Sequence, residues 1–345
     1  MRDYSSKAYR LIAISFLLLL LSNCTSNPTA TEPAPSSPTP TTVAVENTPT
    51  TEPTETPAPA LSSGLASLLP TAVSSVEPPP EPAVCALNWC IAPGHFWFAR
   101  PIPDSGETNV ERTYRFGTTQ EGAREVHHGV EFNNPRGTPV LAAADGSVVV
   151  AGNDKQDLYA DHPGIYGNLV ILEHHFAEMD EPIYTLYAHL DEVLVKTGDT
   201  VKTGDVIGKV GASGAAIGSH LHFEVRQNGM TYQNSVNPEL WLKQDDGMGA
   251  IAASGKADEF ADQPYPSVKI EALDGQFSPG IIYVETYQDI NLQRDPEIKE
   301  FFAVGNLPAG HYRVTFSRRG IPLPIEVEVQ AGQLTHIIYP TTTGE

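Results

Sequence analysis

The chain has 345 residues and a formal net charge of −21, with 42 Asp and Glu residues against 21 Lys and Arg residues. So acidic a protein repels phosphate backbones and anionic lipid headgroups, which argues against nucleic acid as a partner. The length is sufficient for two domains.

Residues 1–24 have the pattern of an export signal. Basic residues precede an apolar run over residues 11–21, which is about half of the roughly 20 residues that a membrane-spanning helix needs. The run ends at Leu21-Ser22-Asn23-Cys24, which resembles a bacterial lipoprotein signal and implies a lipid on Cys24. This predicts an exported, lipid-anchored protein at the outer face of the cytoplasmic membrane or in the cell envelope. A cleaved ordinary signal and an uncleaved anchor are the alternatives.

Residues 25–83 are rich in Thr, Pro, Ser, Ala and Glu and contain no Lys, Arg or Asp. Their low apolar content predicts a disordered tether. At about 3.1 Å per residue in extended polyproline geometry, it would reach on the order of 180 Å. Such a tether suits an enzyme that stays on a membrane and acts on a wall above it, although a passive stalk would look the same.

Cys85 and Cys90 are the only cysteines besides Cys24. An exported protein folds in an oxidising compartment, which favours a local Cys85–Cys90 disulfide. Two free thiols are the alternative.

Residues 84–243 are predicted to form an antiparallel β domain. Short apolar runs alternate with turn residues such as Asp145-Gly146, and helical periodicity is almost absent. Residues 198–211 resemble the hairpins of biotinyl and lipoyl carrier domains. Because no methionine flanks a lysine at a tight turn there, we expect Lys202 and Lys209 to be solvated strand residues.

The remainder of the chain is predicted to hold a linker and a second β domain, which makes the fold class mainly β. Residues 244–262 are rich in Gly, Ala, Ser and Asp and are interpreted as the linker. Residues 263–345 alternate between apolar and polar positions, with Tyr312, Val314 and Phe316 on one face. This pattern is typical of a small β-sandwich, which would be an adhesin or sugar-binding module if it set the protein's role.

Two histidine-containing segments have matching spacing. His220 and His222 are two residues apart in a β-prone run, and His127, Gly129 and Glu131 show the same spacing upstream. On a strand, side chains two apart lie on the same face, and the glycine would leave room for an ion. Two histidines and one carboxylate form the three protein ligands of an open zinc site.

These segments resemble the motifs of the lysostaphin-type (LytM-like) zinc metalloendopeptidases, which cut peptidoglycan. That family has His-x-Gly-x-Asp, Tyr-x-His-Leu and His-x-His-Phe-Glu-Val in this order, found here at residues 127–131, 187–190 and 220–225. The resemblance covers residues 95–243. It implies that His127, Glu131 and His222 bind zinc and that His220 and His189 are catalytic.

The implied chemistry agrees with the residue types. Zinc lowers the pKa of a bound water to around 7 and polarises a scissile carbonyl. A neutral imidazole can accept the proton of that water, and an imidazolium can stabilise the developing oxyanion. The expected substrate is a peptide bond in the stem peptides or cross-bridges of peptidoglycan.

Glu131 departs from the family pattern, which has aspartate at this position. The extra methylene moves the carboxylate by about a bond length, which the backbone or the binding mode could absorb. If it does not, the alternative is a catalytically degenerate protein that binds the wall or activates other wall hydrolases, such as an amidase.

Other polar residues near these motifs receive simpler interpretations. His128 would point away from His127 on a strand and is expected to pack or lie at the surface. His174 follows an apolar strand and is expected to be a structural histidine, and Tyr166 is expected to border a cleft.

Overall fold

The structure of the protein is a computed structural model that describes residues 84–255 and 266–339, except 279, 290 and 319. The predicted signal, Cys24 and the tether lie outside the described residues. Within the described ranges, no helix is long and apolar enough to cross a membrane.

Strands form nearly all of the regular structure in this part of the chain. In chain order they are β1 (Val84–Cys85), β2 (Trp89–Pro93), β3 (Val130–Phe132), β4 (Pro139–Leu141), β5 (Gly146–Asn153), β6 (Asn168–His174), β7 (Ile183–Leu190), β8 (Glu192–Val193), β9 (Thr200–Val201), β10 (Val206–Lys209), β11 (Leu221–Gln227), β12 (Ser235–Val236), β13 (Met248–Ser254), β14 (Ser267–Ala272), β15 (Ile281–Glu285), β16 (Glu300–Pro308), β17 (Gly310–Arg318), β18 (Ile321–Val329) and β19 (Gln333–Ile338). Two short 3₁₀ helices, Tyr232–Asn234 and Pro238–Leu240, follow β11. The mainly β fold class is therefore confirmed.

The largest sheet is antiparallel and carries the histidine motifs. Its strand order is β12-β11-β7-β6-β5-β9, and β3 pairs with the first part of β11. A smaller sheet, β4-β10-β8, contains the second half of the segment that resembles carrier domains, whereas β9 in the first half pairs with β5 of the largest sheet. In this segment Lys202 pairs with Asp145 and Lys209 with Glu192 at the surface, as expected of solvated lysines.

Strand β11 is buried along its whole length, on both faces. Leu221, Phe223 and Val225 belong to the main hydrophobic core. The alternate positions are polar, yet His222, Glu224 and Arg226 are also buried. Because buried polar groups need partners, this second face must contain a hydrogen-bonded network.

Strands β1 and β2 join the C-terminal strands to form two sheets that share one core. The first has the order β1-β2-β19-β13-β16, and the second has the order β15-β14-β17-β18. Residues of both sheets meet in one cluster, which includes Ile251 and Phe302 from the first and Val268 and Phe316 from the second. Tyr312, Val314 and Phe316 are all buried, as their alternation predicted.

The sheets do not follow the predicted boundaries at residues 84, 244 and 262. Strand β13 lies inside the predicted linker 244–262, where it pairs with both β19 and β16. Strand β2, at the start of the predicted β domain, pairs with β19. The small residues of β13 resemble a linker in sequence, but the neighbours require them: a Cβ on Gly249 would lie 2.3 Å from the Gln330 carbonyl oxygen.

Candidate metal centre and active site

His127 lies in the loop that precedes β3, not on the strand as the spacing predicted. Its backbone N–H donates to the Thr118 carbonyl at 3.0 Å, and its carbonyl accepts from the Gly117 N–H at 2.7 Å. These bonds fix His127 against a segment outside the motif. A Cβ on Gly129 would lie 2.8 Å from the His222 ring and 2.6 Å from the Phe223 carbonyl oxygen. The glycine of the motif therefore makes room for the second histidine ring.

Strand β11 brings the second motif beside the first. His222 is the antiparallel partner of Glu131 on β3 and of Ala188 on β7. Directly paired residues place their side chains on the same face at close distance. His220 stands just before the strand and bridges to Gly211.

A bulge near the end of β7 aims His189 at this group. The β6–β7 register shifts between Asn168 and Val170, which leaves one extra residue in β7 before Leu190. His189 has a φ of 61°, in the left-handed region that non-glycine residues rarely adopt. Its ring centroid lies 4.8 Å from that of His220 and 5.6 Å from that of His222.

The structure thus gathers all five predicted site residues in one place. His127, Glu131, His189, His220 and His222 are each less than a tenth exposed. The predicted disulfide is remote from them: Cys85 and Cys90 are joined across the β1–β2 pair.

The hydrogen bonds of His127 and His222 assign the ring protons. His127 Nδ1 lies 2.9 Å from the Tyr114 carbonyl, which can only accept, so this nitrogen carries the proton. His222 Nε2 lies 3.0 Å from Glu224 Oε1 and donates to it. The lone pairs of these two rings are consequently on His127 Nε2 and His222 Nδ1.

The two remaining histidines are oriented by backbone carbonyls. His189 Nδ1 donates to Ser213 at 2.8 Å, and His220 Nδ1 donates to Gly218 at 3.2 Å. Their Nε2 atoms are left as acceptors. His220 Nε2 is buried and has no hydrogen-bond partner among the described residues.

The ligand pair fits a metal cation. His127 Nε2 and His222 Nδ1 are 3.1 Å apart, and with both rings neutral neither nitrogen carries a proton to donate to the other. Two lone pairs that face each other repel unless a cation lies between them. Two nitrogen ligands at about 2.1 Å from a tetrahedral zinc ion stand about 3.4 Å apart, close to this spacing.

The Glu131 carboxylate is the part of the predicted set that is directed elsewhere. Its Oε1 lies 3.4 Å from Arg124 Nη1 and 3.6 Å from His220 Nε2. Accordingly, the described residues contain no group of three His, Cys, Asp or Glu side chains arranged to hold a metal ion. As the direct strand partner of His222, Glu131 nevertheless stands on the face that the ion would occupy.

Glu224 belongs to the third sequence motif, but the sequence pattern predicted no role for it. It is fully buried, and besides His222 it accepts from Arg226 Nε at 2.7 Å and from the Tyr166 hydroxyl. Burial raises the pKa of Glu224, but Arg226 and His222 outweigh it and hold the pKa below its ordinary value. The signal was present: Glu224 and Arg226 continue the two-residue spacing of His220 and His222 along β11.

Tyr166 lines no cleft, in contrast to the expectation from the sequence. It is 2% exposed, and its hydroxyl lies between Glu224 and Arg226, accepting from Arg226 Nη2 at 2.9 Å. Its ring stands 5.6 Å from that of His222. It therefore packs under the site as a support for the buried network.

Tyr114 and Arg124 were also overlooked, because they belong to an irregular segment with no recognisable motif. The Tyr114 ring stacks on His127 with centroids 4.0 Å apart, and the Arg124 guanidinium lies 4.6 Å above the Tyr114 ring. By contrast, His128 stacks on Tyr232 and bonds to Ser235, in agreement with a packing role.

Burial favours the neutral form of His127, His189 and His220. Burial, with repulsion from His222, holds the pKa of His127 well below its ordinary value of 6.5. The same causes, together with His220, lower the pKa of His189 to about 3. Burial also lowers the pKa of His220, although the nearby Glu131 carboxylate opposes it. Neutral imidazoles are what metal ligation and proton acceptance require.

Comparison with known proteins identifies this part of the chain. Residues 125–238 match the family model described as Peptidase family M23. These residues form a Peptidase family M23 domain. The M23 domain contains every residue of the histidine cluster.

Three curated relatives align with the M23 domain and its surroundings. The chain is 38% identical over 136 residues to the DD-carboxypeptidase/endopeptidase Mpg of Neisseria meningitidis, covering 39% of this chain and 28% of that protein. It is 41% identical over 100 residues to the Peptidoglycan DD-endopeptidase ShyB of Vibrio cholerae, covering 29% and 20%. It is 34% identical over 129 residues to the Murein hydrolase activator NlpD of Escherichia coli, covering 37% and 28%. The chain thus spans less than a third of the length of each of these relatives.

Proposed function

We propose that the protein is a zinc-dependent endopeptidase that hydrolyses peptide bonds in peptidoglycan stem peptides or cross-bridges. The observation that carries the proposal is the pair of unprotonated nitrogens, His127 Nε2 and His222 Nδ1, that face each other at 3.1 Å. The M23 domain and its similarity to two endopeptidases support a peptidase.

The zinc ligands in this proposal are His127 through Nε2, His222 through Nδ1 and Glu131 through its carboxylate. When bound, zinc would supply Lewis acidity for the scissile carbonyl and for the attacking water. Tyr114 and Glu224 hold the opposite ring nitrogens, so both imidazoles are oriented before the metal arrives.

His220 and His189 carry the proton transfers. Nε2 of His220 is an unoccupied acceptor, and we assign it the proton of the attacking water. The Glu131 Oε1 atom, 3.6 Å away, lowers the energy of the imidazolium that results. Nε2 of His189 is free to accept from the same water, which would orient it. The low pKa of His189 keeps this nitrogen unprotonated at neutral pH.

The substrate and location are parts of the same proposal. The names of ShyB and NlpD refer to peptidoglycan and to murein hydrolases, which favours the wall as substrate. Lipid attachment at Cys24 and a tether over residues 25–83 would hold the enzyme on the membrane below that wall.

A second candidate function is a catalytically inactive activator of other wall hydrolases. It is favoured by the contact of the Glu131 carboxylate with Arg124, away from the histidine pair. Similarity to the activator NlpD points the same way.

The test is zinc content and peptidoglycan digestion by the full chain, with Glu131→Asp side by side. Stoichiometric zinc and released peptide fragments from the unmodified protein are expected of the enzyme. The activator predicts little zinc and no cleavage, with both restored by aspartate. Absence of cleavage from every wall preparation by zinc-loaded protein would reject the proposed enzyme.

A further inference from the structure

A cleft of about 390 Å³ lies between the segments that flank the M23 domain in sequence and the C-terminal sheets. One wall comes from residues 100–115 and 239–248, and the other from residues 276–282 and 305–308. Its volume is in the range of sites for small ligands. None of its lining residues belongs to the histidine cluster, so it is a separate site.

The cleft is preformed by hydrogen bonds between its walls. The β13–β16 register shifts between Gly249 and Ile251, which leaves an extra residue in β16 opposite them. At this bulge, Asn306 Nδ2 donates to Asp245 Oδ2 at 2.7 Å and to Asn109 Oδ1 at 3.0 Å. Bulges commonly re-aim side chains at functional positions, and here the bulge joins the two walls.

The lining is rich in hydrogen-bond donors. Each amide side chain has two N–H donors. Asn109 uses one on Glu107, Gln244 one on the Leu242 carbonyl and Gln276 one on the His311 carbonyl. Each of these three lining amides therefore retains one N–H with no acceptor among the described residues, unlike Asn306, which uses both. Such a surface selects a ligand with several acceptor oxygens.

Two charged groups of the cleft also lack full partners. Arg112 is exposed, and its guanidinium has no ion pair within the described ranges. Glu239 is buried and binds Arg115 and the Gly305 N–H through Oε2, but its Oε1 receives no donor from the described groups. The Arg112 guanidinium could therefore pair with an anion of the ligand, and Glu239 Oε1 could accept a hydrogen bond from an N–H or O–H group of the ligand.

The remaining lining is apolar and includes Phe277, Ile282 and Leu307. An acetamido sugar combines a methyl group for such a wall, a carbonyl for the amides and an N–H donor. A carboxylate on the sugar would pair with Arg112. We propose that this cleft binds a carboxylate-bearing, N-acetylated saccharide, so that the protein holds a glycan strand at a site apart from its M23 histidine cluster.

The choice of saccharide rests on the proposed action on peptidoglycan, so the test uses a ligand that contains no peptide bond. The full chain is titrated calorimetrically with the disaccharide N-acetylglucosamine–N-acetylmuramic acid, free of peptide. We expect a Kd below about 1 mM. N,N′-diacetylchitobiose, which lacks the carboxylate, should bind about tenfold more weakly.

Variants locate the site. Arg112→Gln should weaken binding of the disaccharide about tenfold, whereas Arg112→Lys should retain most of it because the charge remains. Arg136→Gln is the matched control: this exposed arginine pairs with Asp191 outside the cleft, and its loss should leave the Kd unchanged.

Three outcomes would overturn the saccharide site. They are no binding at millimolar disaccharide, equal binding by Arg112→Gln, and Arg112-dependent binding of a free stem peptide in place of the disaccharide. Peptidoglycan digestion is measured on the same samples. Digestion without disaccharide binding rejects only the cleft proposal, and binding without digestion rejects only the proposed peptidase.

Discussion

The proton positions of the site histidines depend on single acceptors. Tyr114, Ser213 and Gly218 offer backbone carbonyls, which no side-chain substitution removes. His222 alone is oriented by a side chain, the buried carboxylate of Glu224. At the scale of one residue, a substitution of Glu224 is therefore the most direct way to change the proposed metal site without replacing a ligand.

Glu224→Gln should weaken zinc binding by about 10- to 100-fold, because a neutral amide makes His222 a poorer and less firmly oriented ligand. Zinc affinity is measured by competition with a chromophoric chelator. The variant also leaves Arg226 buried without its counter-charge and should lose about 3–5 kcal/mol of unfolding free energy. Circular dichroism must therefore confirm that it is folded during the titration.

Glu178→Gln serves as the control for this measurement. Glu178 is exposed and lies in the turn after β6. The zinc affinity of the Glu178→Gln variant should therefore equal that of the unmodified protein. An unchanged zinc affinity in folded Glu224→Gln would show that Glu224 does not orient a metal ligand.

At the scale of the element, irregularities in two strands position the site. The extra residue near the end of β7 gives His189 its left-handed backbone, and the chain leaves the strand geometry before β3 to place His127. In a regular ladder His189 would follow Ala188, the strand partner of His222, and its side chain would lie on the opposite face of the sheet from His222. The strain at His189 is a cost that the bulge geometry imposes.

His189→Gly and His189→Ala separate this strain from the chemistry. Glycine adopts the left-handed region without steric conflict, so the glycine variant should be more stable than the alanine variant by about 1 kcal/mol in urea unfolding. Both should lose about 10²- to 10⁴-fold in peptidoglycan hydrolysis, because both lack Nε2. Equal stabilities would contradict the strained backbone, and retained hydrolysis would contradict the catalytic role of His189.

At the scale of the whole molecule, a buried polar chain connects the M23 domain to the C-terminal sheets. Asn237 Nδ2 donates to the Tyr287 hydroxyl, which donates to Glu300 Oε1 on β16, both at 2.9 Å. Burial, with the nearby Asp295 charge, raises the pKa of Glu300 to about 7. The folded protein therefore holds a proton that the unfolded chain releases at lower pH.

The sign of the resulting pH effect follows from this raised pKa. The stabilising contribution of Glu300 is fully present below its unfolded pKa of 4.5 and is lost as pH rises through about 7. Glu300→Gln stays neutral, so it should match the unmodified protein near pH 4 and exceed its unfolding free energy at pH 8 by about 3 kcal/mol. Urea unfolding at both pH values measures this. A pH-independent difference would refute it, and Glu178→Gln again supplies the control.

The sequence by itself determined the residue types of the site and the fold class. The spacing of His127 to Glu131, Tyr187 to Leu190 and His220 to Val225 is local, and so is the alternation that marked the strands. Such local patterns can be recognised from the sequence alone, because side chains on a strand alternate between faces every two residues.

Only the tertiary structure decided how these residues are used. His127 lies outside the predicted strand because residues 117–118 form hydrogen bonds with its backbone. The Glu131 carboxylate contacts Arg124. The alanine-rich strand β13 is buried because distant strands enclose it. Each outcome depends on partners far along the chain, and a pattern in one segment holds no information about the acceptors, charges and backbones that another segment brings to it.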